Sequence, residues 1–325
     1  MMEKNRKITL IGCGNIGSRH LQAIVKLKES IIIEIVEPNL KAQKLAKLRL
    51  NEIKYNKSRH TFFWYKSLSK IKNKSDLVIV ATNSKGRINL IEKLLILNHK
   101  RFIVEKIVCQ SSEEYKKLLF LFKKFHAKGW VNTNRRYFNA YQIIKEKFSN
   151  SKYIQVSVFA GNSGLGTNAI HYLDLFSWLV EENKIKLNGE FLENKILKNK
   201  RGPNFKEFLG TVIGFNKNSF VSLTFFPAKV ESFIVKIYGE GCFANVDELK
   251  EKGYFINEKG KEKINAKFGH TSELSTKIIE DIFLNDNCLL PTLKDSSYLH
   301  KELFRIFNKH VKKTLNKDVK LCPIT

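Results

Sequence analysis

The chain has 325 residues, of which 58 are basic and 31 acidic, so its formal net charge is +27. Hydrophobic residues make up 43% of it, which excludes a disordered or collagen-like chain. Five widely spaced cysteines without a CxxC pair disfavour a disulfide framework or a structural zinc site, so no metal is expected. No apolar run approaches the roughly 20 residues of a membrane helix, and signal-peptide features are missing, so a cytoplasmic protein is predicted.

The first part of the chain alternates between strand-like and helix-like segments. Strands are predicted at 7–11, 31–37, 62–65, 76–82, 101–105 and 130–132, and helices at 18–27, 40–50, 88–98 and 112–126. Such alternation is typical of a parallel sheet with helices on both faces. Residues 1–133 are therefore predicted to form an α/β domain with a doubly wound parallel sheet.

The pattern changes in the second part of the chain. A helix at 137–148, a strand at 153–160, a glycine-rich loop and a helix at 168–180 are followed by strand-like runs at 208–215, 220–226, 233–238, 243–246 and 254–256, and by helices at 272–284 and 296–315. Consecutive strands joined by short turns indicate an antiparallel sheet. Residues 134–325 are therefore predicted to form an α+β domain with an open, mainly antiparallel sheet.

A glycine-rich turn, GCGNIG at residues 12–17, lies between the first predicted strand and the first predicted helix. Gly12 allows the tight turn, Gly14 lets the backbone approach a pyrophosphate, and Gly17 permits close packing of the helix on the strand. The helix N-terminus, with Asn15 and Ile16, offers backbone N–H groups to the phosphates. The turn therefore predicts a dinucleotide site.

Other residues at strand ends extend this predicted site. Glu37 ends the second strand and is predicted to accept hydrogen bonds from the adenosine ribose hydroxyls. A 2′-phosphate would meet like charge there, so NAD is favoured over NADP, although the basic residues from Lys41 onward keep NADP open. Thr82, Asn83 and Glu105, at the ends of two later strands, are also assigned to the cofactor site.

Four short segments carry a family resemblance: GCGNIGSRHL at 12–21, VEKI at 104–107, VNTNRRY at 131–137 and HYLD at 171–174. Their order and spacing resemble the Gfo/Idh/MocA oxidoreductases, the family of glucose–fructose oxidoreductase and inositol dehydrogenase. The resemblance covers essentially the whole chain. It implies an N-terminal Rossmann domain and an NAD(P)-dependent enzyme that acts on a sugar, a sugar nucleotide or a cyclitol.

The resemblance also assigns catalytic and substrate-binding residues. The family's lysine falls on Lys106, which is expected to hydrogen-bond the reacting oxygen and help to carry its proton. His171 is the expected acid–base residue or sugar-hydroxyl partner. Asp174 shares a helix face with His171 and is expected to orient it, to support structure or to reach the substrate. Arg135 and Arg136 are expected to face the substrate or the domain interface, with ordinary salt bridges as the alternative.

The sequence departs from the family pattern in three places. Ile107 replaces the proline of the usual Glu-Lys-Pro segment. The family's catalytic aspartate falls on Thr167, which cannot take a proton at neutral pH, so Thr167 or Asn168 is left to hold a substrate hydroxyl. Arg87 stands where the family commonly has a histidine and would suit an anionic substrate group. These departures indicate either a different proton path or a member without turnover.

The predicted function is hydride transfer between nicotinamide and a carbinol or carbonyl carbon of a sugar. The basic charge favours an acidic or nucleotide-linked sugar. The alternative is a catalytically degenerate dinucleotide-binding protein with a sensing or scaffolding role, and transient redox chemistry during epimerisation, elimination or glycoside cleavage also stays open. Nucleic acid is disfavoured because no arginine-rich arm or RNP-like motif is present. A homo-oligomer is expected through the phenylalanines of 220–226, unless a helix covers them.

Overall fold

The computed structural model describes residues 6–267 and 271–325. The chain divides into two compact units. The described part of unit 1 comprises residues 6–109, 114–132 and 271–293, and that of unit 2 comprises residues 110–113, 133–267 and 294–325. The sequence predicts a first domain that ends at residue 133, and the large central segment of unit 2 begins at Thr133.

Unit 1 contains a six-stranded sheet in which all neighbouring strands run parallel. Its strands are β1 (Arg6–Ile11), β2 (Ile31–Val36), β3 (Thr61–Tyr65), β4 (Leu77–Val80), β5 (Arg101–Val104) and β6 (Lys128–Val131). The order is β3-β2-β1-β4-β5-β6, so the direction of winding reverses between β1 and β4. Ligands of such sheets bind outside the carboxyl ends of the strands at this reversal.

Four helices connect these strands, namely α1 (Gly17–Ile24), α2 (Leu40–Asn51), α3 (Arg87–Ile96) and α4 (Ser112–Lys124). Their boundaries follow local chemistry. For example, Asn39 caps α2, since its side chain accepts hydrogen bonds from the backbone N–H groups of Lys41 and Ala42. In α4 the buried residues Tyr115, Leu118 and Phe122 recur at helical spacing and form one apolar face.

Unit 2 is built on an eight-stranded sheet. The strands are β7 (Ile154–Gly161), β8 (Lys186–Leu192), β9 (Leu197–Lys198), β10 (Lys206–Glu207), β11 (Gly210–Asn216), β12 (Ser219–Phe226), β13 (Ser232–Gly239), β14 (Cys242–Asp247), β15 (Lys252–Asn257) and β16 (Gly260–Asn265), of which β9 and β10 form a separate pair. The order is β16-β15-β14-β13-β7-β12-β11-β8. Among the described strands of this sheet, β7 and β12 alone pair in parallel, which confirms the predicted mainly antiparallel sheet.

The two faces of the large sheet differ. Three helices belong to this unit, namely α5 (Asn139–Lys147), α6 (Leu165–Leu179) and α8 (Leu293–Leu315). One sheet face is buried across the central strands and includes Phe225. On the opposite face Phe159, Phe220 and Phe226 are 38–40% exposed. Within the described residues these phenylalanines face solvent rather than the covering helix that the sequence left as an alternative.

One helix corrects the predicted division of the chain. The helix α7 (Thr271–Asn285) belongs to unit 1 and contacts α1, although the prediction gave the whole second part of the chain to the other domain. The hydroxyl of Thr276 donates to the carbonyl of Ala23 at 2.9 Å. The carbonyl of Pro291 then accepts from the backbone N–H of Val131, again at 2.9 Å. A segment distant in sequence therefore completes unit 1.

No helix in the described ranges combines the length and the apolar character that crossing a membrane requires. Within those same ranges, no three or more His, Cys, Asp or Glu side chains are placed to hold a metal ion.

Candidate functional site

Two glycines of the turn after β1 are required by the fold itself. Gly12 has φ +83°, which favours glycine, and its N–H donates to the carbonyl of Val36 at 2.9 Å. A Cβ at Gly12 would lie 3.1 Å from atoms of Thr82, and a Cβ at Gly17 would overlap the carbonyl of Gly12. These residues bring β1, β4 and the start of α1 together.

The third glycine of the motif has no such packing reason. A Cβ at Gly14 would meet no protein atom within 4 Å among the described residues, and its φ is not positive. Beside it lies the N-terminus of α1, whose N-cap residue Ile16 makes no side-chain capping bond, and Asn15 and Ile16 are exposed. An open space next to an uncapped helix N-terminus suits a pyrophosphate, because the terminal N–H groups and the helix dipole both favour an anion.

Arg49 on α2 holds this turn in place. Its Nη1 donates to the carbonyl of Asn15 at 2.7 Å and to the hydroxyl of Ser18 at 2.6 Å. This residue was not predicted as part of the site, because nothing in the sequence shows that a helix 34 residues away reaches the turn. One of the basic residues near Lys41 that kept NADP open is thus engaged with the glycine turn.

Glu37 lies at the end of β2 with only 8% of its surface exposed. Its Oε2 accepts from the N–H of Cys13 at 2.7 Å, and its Oε1 accepts from the N–H of Asn39 at 2.9 Å. Each carboxylate oxygen keeps acceptor capacity for a ribose hydroxyl. Burial and the charge of Glu37 raise the pKa of the Cys13 thiol to about 12, so Cys13 stays protonated and is a small packing residue.

The end of β4 adds a polar group to the same edge of the sheet. The hydroxyl oxygen of Thr82 is buried and has no hydrogen-bond partner within the described part of the chain. Asn83, the next residue, is exposed. A buried hydroxyl left without a partner, on a residue next to Gly12 of the glycine turn, is a group that a bound ligand would satisfy. The residues here therefore fit a dinucleotide.

Arg87 has a different role from the predicted one. It is 1% exposed, and its guanidinium donates to the backbone carbonyls of Thr82, Glu105, Ile107 and Val108. A guanidinium so enclosed is not accessible to an anionic substrate. It instead ties the loop after β4 to the segment after β5.

The Glu105–Lys106 pair follows β5, and both residues are buried. The Oε1 atom of Glu105 lies 2.9 Å from His20 Nε2 and accepts from Asn132 Nδ2 at 2.5 Å. Burial opposes ionisation of Glu105, but these hydrogen bonds and the charge of Lys106 outweigh it, so the pKa of Glu105 lies below its ordinary value. The Lys106–Ile107 peptide is cis although the proline is missing.

In unit 2 the helix α6 contains the HYLD segment and the residues directly before it, including Asn168. The side-chain amide of Asn168 donates to the hydroxyl of Ser163 at 2.8 Å and to the carbonyl of Gly164 at 3.0 Å. Asn168 therefore stabilises the start of its own helix. His171, one turn later, is half-buried.

Thr167 joins a small polar cluster at the start of α6. Its hydroxyl donates to a carboxylate oxygen of Glu207. The amide of Asn199 donates to the same oxygen at 2.7 Å and to the Thr167 hydroxyl at 3.2 Å. The position of the family's aspartate is thus occupied by a hydroxyl that is itself bound to a carboxylate.

Asp174 and Arg136 form a buried ion pair. The guanidinium of Arg136 donates to both oxygens of Asp174, at 3.0 and 2.6 Å, and the hydroxyl of Thr133 donates to it at 2.9 Å. Burial raises the pKa of Asp174, against the opposing effects of Arg136 and Thr133. These contacts give Asp174 a structural role in unit 2 in place of the predicted contact with substrate.

Arg135 is likewise paired within unit 2. Its guanidinium donates to both oxygens of Glu248, at 2.9 and 2.8 Å, and lies 3.9 Å from the ring centre of Tyr172. Tyr141 and Tyr172 also donate to Glu248, at 2.7 and 3.0 Å, and burial raises the pKa of both phenols. The substrate-facing role predicted for Arg135 is replaced by a salt bridge, which the sequence had left as the alternative.

Several residues around these sites were not predicted. His20 and Asn132 lie inside the segments that carried the family resemblance, so their positions were a usable signal. Glu207 and Glu248 lie outside every motif, and only the folded chain brings them to their partners.

Comparisons with known proteins indicate an NAD-binding fold in the same part of the chain as the glycine turn. Residues 6–133 match the Gfo/Idh/MocA family model, described as an oxidoreductase family with an NAD-binding Rossmann fold. No curated protein matches the chain by sequence. Among solved structures, the chain is similar to an oxidoreductase from Agrobacterium radiobacter in complex with NAD+, L-tartaric acid and magnesium, with 14% identity and a TM-score of 0.71 over 92% of this chain and 94% of that one.

Two further solved structures are similar. One is UDP-N-acetylglucosamine 3-dehydrogenase from Acidithiobacillus ferrooxidans, with 13% identity and a TM-score of 0.70 over 96% of this chain and 99% of that one. The other is biliverdin reductase from Synechocystis sp. PCC 6803 in complex with biliverdin and NADP+, with 13% identity and a TM-score of 0.68 over 92% and 97% of the two chains. At such low identity these likenesses show a shared fold.

The family match and the site geometry concern the same part of the chain. The matched segment contains the glycine turn, Glu37, Thr82 and the Glu105–Lys106 pair, and its strand order is that of a doubly wound dinucleotide-binding sheet. The resemblance inferred from the short motifs is confirmed. Residues 6–133 of the chain match the model of the Gfo/Idh/MocA family, an oxidoreductase family with an NAD-binding Rossmann fold.

Proposed function

We propose that this oxidoreductase transfers a hydride between nicotinamide and a carbinol or carbonyl carbon of a nucleotide-linked or acidic sugar. When bound, the nicotinamide supplies the hydride acceptor or donor, and the protein supplies binding, orientation and proton transfer. The observation that carries the proposal is the buried Lys106 directly after β5, at the carboxyl edge of the parallel sheet. Ligands of this fold bind at that edge.

The surroundings of Lys106 support a role as hydrogen-bond donor to the reacting oxygen. Only 7% of its surface is exposed, and its neighbour Glu105 is held by His20 and Asn132. Arg87 fixes the carbonyls on both sides of Lys106. An ammonium in a fixed and largely dry position stabilises negative charge that develops on a substrate oxygen.

His171 is the residue to which we assign the substrate proton. An imidazole has its ordinary pKa near neutrality and exchanges a proton readily at physiological pH. Its position on α6 is half-buried, so the residue keeps some exposed surface. In this proposal His171 accepts the hydroxyl proton during oxidation and returns it during reduction.

Charge supports the proposed substrate class and cofactor preference. The net charge of +27 favours an anionic substrate, and a UDP-sugar dehydrogenase is among the similar structures. The buried carboxylate of Glu37 at the ribose position favours NAD, because a 2′-phosphate would be repelled there.

The test is substitution of Lys106 by alanine. NADH absorbance is followed with NAD and a panel that contains UDP-N-acetylglucosamine, glucuronic acid and glucose, while NAD binding is measured by calorimetry. We expect turnover to fall by about a hundredfold or more, as is usual when a donor that stabilises developing negative charge is lost, with NAD affinity within about twofold of wild type, since the ammonium acts on the substrate. Lys128→Ala is the control, because it also removes one lysine charge but at the opposite edge of the sheet, where Lys128 pairs with Asp286. It is expected to change neither turnover nor NAD affinity.

Two outcomes contradict the proposal. Lys106→Ala with wild-type turnover would remove its catalytic role. A wild-type protein that binds NAD and turns over no member of the panel would favour the sensing or scaffolding alternative, which Thr167 and Ile107 motivated. A product that forms without a change in NADH absorbance would instead indicate epimerisation, elimination or glycoside cleavage.

A further inference from the structure

We propose that Glu207 supplies the carboxylate that acts together with His171, and that Thr167 and Asn199 position this carboxylate at the start of α6. The inference deepens the proposed function and rests on it, because it takes His171 as the residue that accepts the substrate proton. Glu207 is a positioning residue in this scheme, acting on the imidazole rather than on the substrate.

The first observation is the set of donors around Glu207. Thr167, 40 residues earlier in the chain, donates its hydroxyl to Oε1, and Asn199 donates its amide to the same oxygen. The Asn199 amide also lies 3.2 Å from the Thr167 hydroxyl oxygen, so the three side chains form a closed cluster. Beside it, the backbone N–H of Lys206 donates to the carbonyl of Pro323 at 2.7 Å, which anchors β10. The carboxylate is therefore fixed by donors from separate elements.

The second observation is the room left for the carboxylate. A Cβ at Gly164 would overlap the carboxyl group of Glu207. The φ of Gly164 is −126°, which any residue adopts, so its backbone conformation does not require glycine. The glycine instead makes space for the carboxylate at the N-terminal end of α6. The positive end of the helix dipole stabilises an anion in that place.

The third observation is the spacing along α6. Thr167 and His171 are four residues apart, so they are neighbours on one helix face, about 5–6 Å apart at Cβ. The Thr167 hydroxyl donates to Glu207 and therefore holds the carboxylate next to this face. When His171 takes a proton from the substrate hydroxyl, the ring gains one positive charge. A carboxylate one turn away compensates this charge without itself binding the proton.

The test combines a spectroscopic readout with a carboxylate swap. Protein labelled with ¹⁵N-histidine is studied by NMR at a fixed pH near 7, without substrate, and the His171 signals are assigned with His171→Asn. We expect Glu207→Gln to shift these signals toward neutral imidazole. The double variant Thr167→Asp with Glu207→Gln returns a carboxylate to the same helix face and is expected to restore them. Glu190→Gln removes an exposed carboxylate that pairs with Lys309, and is expected to leave them unchanged.

The same variants are compared in turnover of UDP-N-acetylglucosamine with NAD. Because a proton-transfer residue contributes about 10²–10⁴-fold, loss of its charge partner is expected to lower kcat by about tenfold with KM unchanged. The double variant is expected to recover most of this loss. Unchanged His171 signals in Glu207→Gln, or no restoration in the double variant, would overturn the inference. The proposed function is tested separately, because full turnover in His171→Asn would contradict it. The NMR signals are measured without substrate and do not depend on that result.

Discussion

Each unit of the molecule buries an arginine, and the two arginines are neutralised in different ways. In unit 1, Arg87 donates to four backbone carbonyls, all within 21 residues of it in sequence. In unit 2, Arg135 pairs with both oxygens of Glu248, 113 residues away, above the ring of Tyr172. Carbonyl dipoles are present wherever the chain runs, whereas a carboxylate must be supplied by one particular residue.

The difference separates two tasks. Arg87 determines the path of two loops at the candidate cofactor site and depends on the backbone alone. Arg135 and Glu248 depend on each other, because either charge left alone in the interior is unfavourable. Substitutions of Arg135 or Glu248 should therefore act mainly on stability, and those of Arg87 on both stability and cofactor binding.

The largest effect is expected for Glu248→Gln. The change leaves the Arg135 guanidinium buried without its counter-charge, which costs about 3–5 kcal/mol in comparable buried pairs. Urea unfolding followed by tryptophan fluorescence, to which Trp178 of unit 2 contributes, measures the loss. Glu240→Gln breaks the exposed pair with Lys152 and should cost at most about 1 kcal/mol. Equal effects of the two variants would mean that burial of the first pair is unimportant.

Arg87→Lys is expected to have an intermediate effect. Lysine keeps the charge but lacks the planar guanidinium that reaches several carbonyls at once. Buried acceptors are then left unsatisfied, at about 1–3 kcal/mol. NAD affinity should fall as well, because Thr82 lies in the loop that Arg87 holds. Arg101→Lys is the control, because Arg101 forms an exposed pair with Asp286. If Arg101→Lys lost as much stability and NAD affinity as Arg87→Lys, the loop-holding role of Arg87 would be contradicted.

The smallest effect on folding is expected for Gly14→Ala. Because a Cβ there meets no protein atom within 4 Å, stability should change by no more than about 0.5 kcal/mol. NAD affinity, measured by calorimetry, should nevertheless fall about tenfold or more, since the methyl group occupies the space assigned to the pyrophosphate. Gly17→Ala is the matched variant and should unfold at lower urea concentration. Unchanged NAD binding in Gly14→Ala would exclude this position from the site.

The fold was predictable where burial imposes a pattern. The apolar run of β4 is buried on both faces, as central parallel strands are, and its prediction is confirmed. β16 was not predicted, because only Ile264 of its six residues is buried and its pairing depends on β15. β8, another edge strand, was missed in the same way and contains Gly189.

The site was predictable where it is made of backbone. The glycine turn has fixed spacing because its function depends on dihedral angles and N–H groups of neighbouring residues, and the NAD-binding fold inferred from it is confirmed. The partners of Arg135 and Thr167 are side chains more than thirty residues away. No spacing rule connects such residues, so the sequence assigned them to a substrate.

The position of α7 in unit 1 has a consequence for how this protein emerges during synthesis. The helix lies after all the described strands of unit 2 in the chain, yet it contacts α1 near the beginning. During synthesis the surface of α1 that contacts α7 therefore stays uncovered until residue 285 has left the ribosome. A fragment cut at residue 133 would keep that surface exposed permanently and would lack a helix that its apolar residues require.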